Sequence, residues 1–86
     1  MRIYKYELNP GLPYQDIRMP PVIRFLDVQL QERVPVLWAV VDETRPTYNQ
    51  RFAVFATGQD LPTDIHEWTY VGTFQSGWLV WHVFTL

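Results

Sequence analysis

The chain has no cysteine, which removes disulfide staples, thiolate zinc sites and a thiol nucleophile together. Serine and lysine are nearly as scarce: Ser76 and Lys5 are the single examples of each. An activated hydroxyl or amine nucleophile needs a base within hydrogen-bond reach. Ser76 instead reads as a hairpin tip and Lys5 as a solvated charge on an alternating strand. Thr57-Gly58 is not a phosphate loop, because no Gly-rich run surrounds it and no lysine follows. No apolar run approaches the eighteen or so residues of a membrane span, and the opening Met1-Arg2-Ile3-Tyr4-Lys5-Tyr6-Glu7 breaks any leader-like core with charge. These absences lead to the expectation of a soluble, cytoplasmic, non-enzymatic chain that uses no cofactor.

Basic charge is missing from the C-terminal part. All 7 Lys and Arg residues, from Arg2 to Arg51, precede position 52, and only Asp60, Asp64 and Glu67 carry charge beyond it. A nucleic-acid binder concentrates Lys and Arg on one face to displace counterions, so direct nucleic-acid binding is not expected. His82 lies in the apolar run Trp81-His82-Val83 and reads as a hydrogen-bonded sheet residue, whereas His66 belongs to an acidic loop. Without cysteine or a close His pair, a zinc site is not expected. Asp64 and Glu67 would share a face if their segment were helical, but the alternating oxygen donors and bend glycine of a calcium loop are absent. The acidic stretch is left as a surface: Asp60, Asp64 and Glu67 supply steering charge and Trp68 an aromatic anchor, the combination protein interfaces use.

What the chain does have is aromatic side chains: 4 Trp, 5 Tyr and 5 Phe among 86 residues. At roughly 150–250 Å² buried each, they can hold together a sheet that aliphatics alone would leave marginal. Length allows one domain, residues 1–86. Alternation predicts a half-exposed strand over residues 2–8, broken by Asn9-Pro10-Gly11-Leu12-Pro13, and a short one over 15–19 ended by Pro20-Pro21. Residues 22–30 read as a strand with Val22, Leu26, Val28 and Leu30 on one face and Ile23, Phe25, Asp27 and Gln29 on the other. A polar turn, Gln31-Glu32-Arg33, joins it to residues 34–41, apolar at every position and therefore a central strand.

Residues 42–49 form the longest polar stretch and the expected mobile loop. Strand character returns over 51–57. Residues 60–68 are expected to hold at most one helical turn, with Thr63 as its N-cap. The closing segment predicts a strand over 69–75, a Ser76-Gly77 turn and a last strand from Trp78 that is apolar on both faces and must be covered twice. A second sheet or another molecule would supply that cover, and a homodimer is among the expected assemblies. The expected fold is mainly β: a small antiparallel sheet of about six strands, curled into a barrel-like or two-layer arrangement.

Ile3-Tyr4-Lys5-Tyr6-Glu7-Leu8, Val28-Gln29-Leu30-Gln31, Pro35-Val36-Leu37-Trp38-Ala39-Val40-Val41-Asp42, Leu61-Pro62 and the closing Tyr70-Val71-Gly72-Thr73-Phe74-Gln75 with Leu79-Val80-Trp81-His82-Val83-Phe84 together resemble a family of short, uncharacterised phage and prophage proteins. The likeness spans nearly the whole chain. The family's Gly-Thr-Gly stands here as Ala56-Thr57-Gly58, and the segment around Ile65-His66-Glu67-Trp68 is longer. The resemblance implies context rather than activity: a phage-encoded accessory protein, acting in the host bacterial cell by binding host protein machinery. Its most specific form is an anti-CRISPR inhibitor of a CRISPR effector complex. A virion or assembly component and a small nucleic-acid-binding regulator are the alternatives.

Overall fold

Alternating apolar residues and tight turns build seven strands in the computed structural model, which describes residues 1–86. They are β1 (Arg2–Glu7), β2 (Tyr14–Met19), β3 (Val22–Gln31), β4 (Val34–Val41), β5 (Tyr48–Ala56), β6 (Thr69–Ser76) and β7 (Leu79–Thr85), with a single 3-10 turn at Ile65–Glu67. All pairings are antiparallel; short turns dictate this for β3–β4 and β6–β7, while β1–β4, β2–β5 and β5–β7 pair across longer stretches of chain. The strands form a three-stranded sheet in the order β1-β4-β3 and a four-stranded sheet in the order β2-β5-β7-β6. The two sheets pack as layers and do not close into a barrel. No helix is long and apolar enough to cross a membrane.

The core lies between the layers. Val28, Leu37, Ala39 and Val41 from the smaller sheet meet Met19, Phe52, Val54, Phe74 and Val83 from the larger. Phe25 of β3 presents its edge to Phe52 of β5 across the gap, with centroids 5.9 Å apart and planes at 84°, the T-shaped geometry that ring quadrupoles favour. At Gly72 of β6 the approach is closest. A Cβ there would lie 2.7 Å from Val28 Cγ2, so only glycine lets β6 come this near β3.

Both expected central strands are central: β4 lies between β1 and β3, and β7 between β5 and β6. The expected faces of β3 need correction. Register shifts between Val22 and Arg24 and between Phe25 and Asp27 insert extra residues, and each reverses the inward set. Phe25 therefore packs against the core while Leu26 is exposed.

The loop limits also differ from expectation. Tyr48 and Asn49 are not loop residues but the start of β5, paired with Met19 and Arg18. The shortened loop is tied down at Asp42, whose carboxylate accepts bonds from the Thr44 hydroxyl at 2.5 Å and the Thr44 amide at 3.2 Å. At the same end of β5 a buried network ties it to the end of β7. Gln50 Nε2 donates to Thr85 Oγ1 at 2.6 Å and to the Leu86 carbonyl at 3.0 Å, and Thr85 Oγ1 donates to the Arg51 carbonyl at 2.8 Å.

The two hairpin tips are built differently. Between β3 and β4, Glu32 and Arg33 both take positive φ, 52° and 71°, the two-residue turn whose twist matches the strands, here made without glycine. Between β6 and β7 the turn is Gly77-Trp78 rather than Ser76-Gly77. Its first position needs positive φ, and Gly77 supplies it at 59°. Trp78 thus leaves the strand and sits on the tip.

Candidate protein-binding surface

Cover for the second face of β7 comes from the chain itself. Residues 57–68 cross the outer side of the larger sheet as a strap fastened at both ends. At one end the Thr57 amide donates to the Val80 carbonyl at 2.9 Å, and the Ala56 amide to Gln59 Oε1 at 3.0 Å. At the other, Trp68 lies over Tyr14, with centroids 6.0 Å apart and planes at 50°. Tyr14 in turn meets Phe55 edge-on at 6.0 Å, Phe55 meets Phe84 at 6.2 Å, and Phe84 meets Tyr70 at 5.7 Å. Five rings from β2, β5, β6, β7 and the strap form one aromatic layer on this face. Such a layer takes the strap's sequence well beyond a passive connection, since each aromatic pair adds about 0.5–1.5 kcal/mol to simple burial.

The 3-10 turn holds the strap's last part. Its amides are satisfied locally, Ile65 to the Pro62 carbonyl at 3.1 Å, Glu67 to Asp64 at 2.8 Å and Trp68 to Ile65 at 3.0 Å. The residue before the turn is Asp64, not the expected Thr63, and no side chain caps it. Asp60, Asp64 and Glu67 are all exposed. None takes part in an ion pair; the pairs present join Glu43 to the N-terminus and Arg2, and Asp16 to Arg51. No three His, Asp or Glu side chains converge as metal ligands. Trp68 is half-buried, and its indole Nε1 is buried with no hydrogen-bond partner. The structure thus sets the three carboxylates along one strap whose foot is Trp68.

Beneath the strap's first half opens a cleft of about 250 Å³, with Phe55, Phe84, Ala56 and Leu61 as its apolar lining and Thr57, Gln59 and His82 as its polar side. Sequence reasoning did not find it, because Phe55 and His82 face each other only once β5 and β7 are in register. His82 is held by both ring nitrogens: Thr57 Oγ1 lies 2.7 Å from Nε2 and Thr73 Oγ1 3.1 Å from Nδ1, with the Tyr70 hydroxyl 2.5 Å from Thr73. The order hydroxyl, imidazole, third group has the outline of a nucleophilic triad. Its third member is a neutral threonine, however, where the triad uses a carboxylate to stabilise the imidazolium. This polar chain fixes the orientation of the ring on the cleft wall.

A family model described as a domain of unknown function, DUF7352, matches residues 1–86. No curated protein and no solved structure matches the chain.

Proposed function

From the premise that this chain belongs to the DUF7352 family, a domain of unknown function, we propose that it is a non-enzymatic binding module whose acidic strap docks on a protein surface. One observation carries the reading: three exposed carboxylates without cationic partners, Asp60, Asp64 and Glu67, are presented on a segment anchored at both ends. Unpaired charge on a held backbone steers association and loses little freedom on docking. The fitting partner carries a basic groove of the kind that handles nucleic acid, where carboxylates take the place of phosphates and the exposed side of Trp68 adds desolvated contact.

The resemblance to phage and prophage proteins makes a CRISPR effector complex in the host bacterial cell the first partner to test, with the chain as an anti-CRISPR inhibitor. The experiment is capture of partners from host lysate by the tagged chain, read by mass spectrometry, followed by binding of the recovered complex to the triple variant Asp60→Lys, Asp64→Lys, Glu67→Lys. The variant keeps its melting temperature and circular dichroism, because exposed charges away from special features shift stability by only about 0.5 kcal/mol each. Its binding is lost, and binding of the unaltered chain weakens as salt rises. Retained binding by a folded triple variant overturns the reading.

A further inference from the structure

A knob and a hole lie side by side at one end of the larger sheet, and the acidic surface uses neither. The knob is Trp78. It is 100% exposed, on a turn whose second position accepts polar residues readily, and its neighbour Leu79 is 50% exposed. An indole held entirely in water contributes nothing to the fold. The hole is the cleft lined by Phe55, Phe84 and Leu61, with Leu61 itself 47% exposed at its rim.

We propose that the occupant of the cleft is Trp78 of a second copy of this chain, each copy inserting its indole into the other to form a two-fold dimer. Size favours this occupant. At about 250 Å³ the cleft falls just below the roughly 300–1,000 Å³ of drug-sized ligand pockets, which is the scale of one ring system. Chemistry agrees. Phe55 and Phe84 offer ring surfaces inclined at 52°, and the Thr57 hydroxyl on the wall has two acceptor lone pairs, one of them available to an indole N–H.

Placement decides the symmetry. Thr57 of the cleft is bonded to Val80, two strand residues, or about 7 Å, beyond Trp78. A knob this near its own hole keeps mutual exchange compact about a two-fold axis, which closes at two copies, whereas one-way insertion leaves a knob and a hole free at the ends and continues into rings or fibres. Area sets the strength. Two indoles bury roughly 300–500 Å² of their own surface, and with the cleft walls they cover the interface remains near the low end of specific complexes, below about 1,200 Å². The dimer is therefore expected to be weak and concentration-dependent.

Salt separates this inference from the proposed function. Exchange through the cleft brings the two acidic straps together, so salt screens a repulsion and tightens the dimer, while docking of the strap on a basic partner weakens with salt. The test is sedimentation of the full chain from roughly 1 µM to 1 mM, a range that spans weak to moderate association, with tryptophan emission recorded over the same range. The expected result is a monomer–dimer equilibrium with an emission blue shift that grows with concentration. Trp78→Ser and Leu61→Glu each weaken the dimer at least about tenfold, a loss that needs only the removal of one contact of a few ring atoms. Trp78→Ser keeps the melting temperature of the parent chain, and Leu61→Glu, at a half-exposed contact with Phe55 and Phe84, lowers it only slightly. Mixing the two variants restores part of the dimer, since the mixed pair retains one intact knob facing one intact hole. A monomer throughout the range overturns the proposal, as does a dimer that survives Trp78→Ser, which would place the interface elsewhere. A blue-shifted emission component that is present at concentrations where the chain is monomeric and is lost in Trp78→Ser would assign the cleft to the chain's own Trp78 and equally overturn it.

Discussion

The two sheets answer the same demand in opposite ways. In the four-stranded sheet the inner face is covered by the other layer and the outer face in part by the strap, with Trp68 on Tyr14 and Leu61 beside Phe55 and Phe84. In the three-stranded sheet only the inner face has cover. Its outward positions include Ile3, Trp38 and Val40 alongside Lys5, Arg24, Asp27 and Gln29, and Ile3 is open to water while Trp38 and Val40 are half-buried. Yet β4 is as continuously apolar as β7. An apolar run thus records that a strand is central, flanked on both sides by other strands. It does not say that both of its faces are buried, because flanking side chains on neighbouring strands shelter an outward residue without any second layer.

The largest effect should come from the shared interior. Phe52 is fully buried and meets Phe25 across the layers, so Phe52→Ala is expected to cost about 3–5 kcal/mol in urea unfolding, a large part of the stability of a chain this size. A cost under about 1.5 kcal/mol would mean that the layers slide together to refill the space. The contrast between the outer faces is sharpened by Trp68→Ala and Trp38→Ala. Both side chains are half-buried, and each truncation is expected to cost about 2 kcal/mol. Their local consequences should differ. Removing Trp68 uncovers Tyr14 and the rings beyond it, giving binding of a hydrophobic dye and faster exchange of the Glu67 and Trp68 amides, whereas Trp38→Ala leaves dye binding unchanged because nothing lies above it. Equal dye binding by the two variants would break the distinction between covered and open faces.

The smallest effect belongs to the junction between the sheets. Hydrogen bonding from the Thr44 hydroxyl, the chief cause, holds the Asp42 carboxyl below its ordinary range. A carboxyl depressed in the folded state stabilises the fold above its unfolded value, about pH 4, and the contribution is lost as pH falls through the folded value. Asp42→Asn should therefore lower the melting temperature slightly at neutral pH, and the difference should vanish in strong acid. A difference that persists there would show that shape rather than charge holds the turn.

β1 and β2, which alternate and are followed by proline-bearing breaks, β4 and β7, which are continuous apolar runs, and β6, which runs up to the Gly77 turn, could be read from the sequence to within a residue or two. The bulges of β3 could not, because an extra residue is set by which amide finds which carbonyl on β4, and side-chain alternation carries no record of that. Tyr48 and Asn49 joined β5 against their polarity since pairing with β2 needs only backbone. The Gly77-Trp78 turn was within reach: glycine belongs at the first of the two turn positions, and applying that rule puts Trp78 on the tip. The candidate site was legible only as composition. Asp60, Asp64, Glu67 and Trp68 stand out as an acidic stretch with an aromatic end, but the seat of Trp68 lies on Tyr14 at the other end of the chain. The cleft depends on register throughout.

The strap's two fastenings also separate length from architecture. Gln59 is bonded back to Ala56 and Ile65 back to Pro62, so no backbone hydrogen bond ties the span around Asp60 and Leu61, and only the Leu61 side chain seats it beside Phe55 and Phe84. Extending such a span costs little, about 0.6 kcal/mol for each doubling of a flexible loop. A peptide inserted at Asp60 therefore leaves both sheets, the aromatic layer and the Trp68 foot in place, while it displaces the Asp60 carboxylate and the Leu61 contact and so replaces the strap's own recognition surface with a new one.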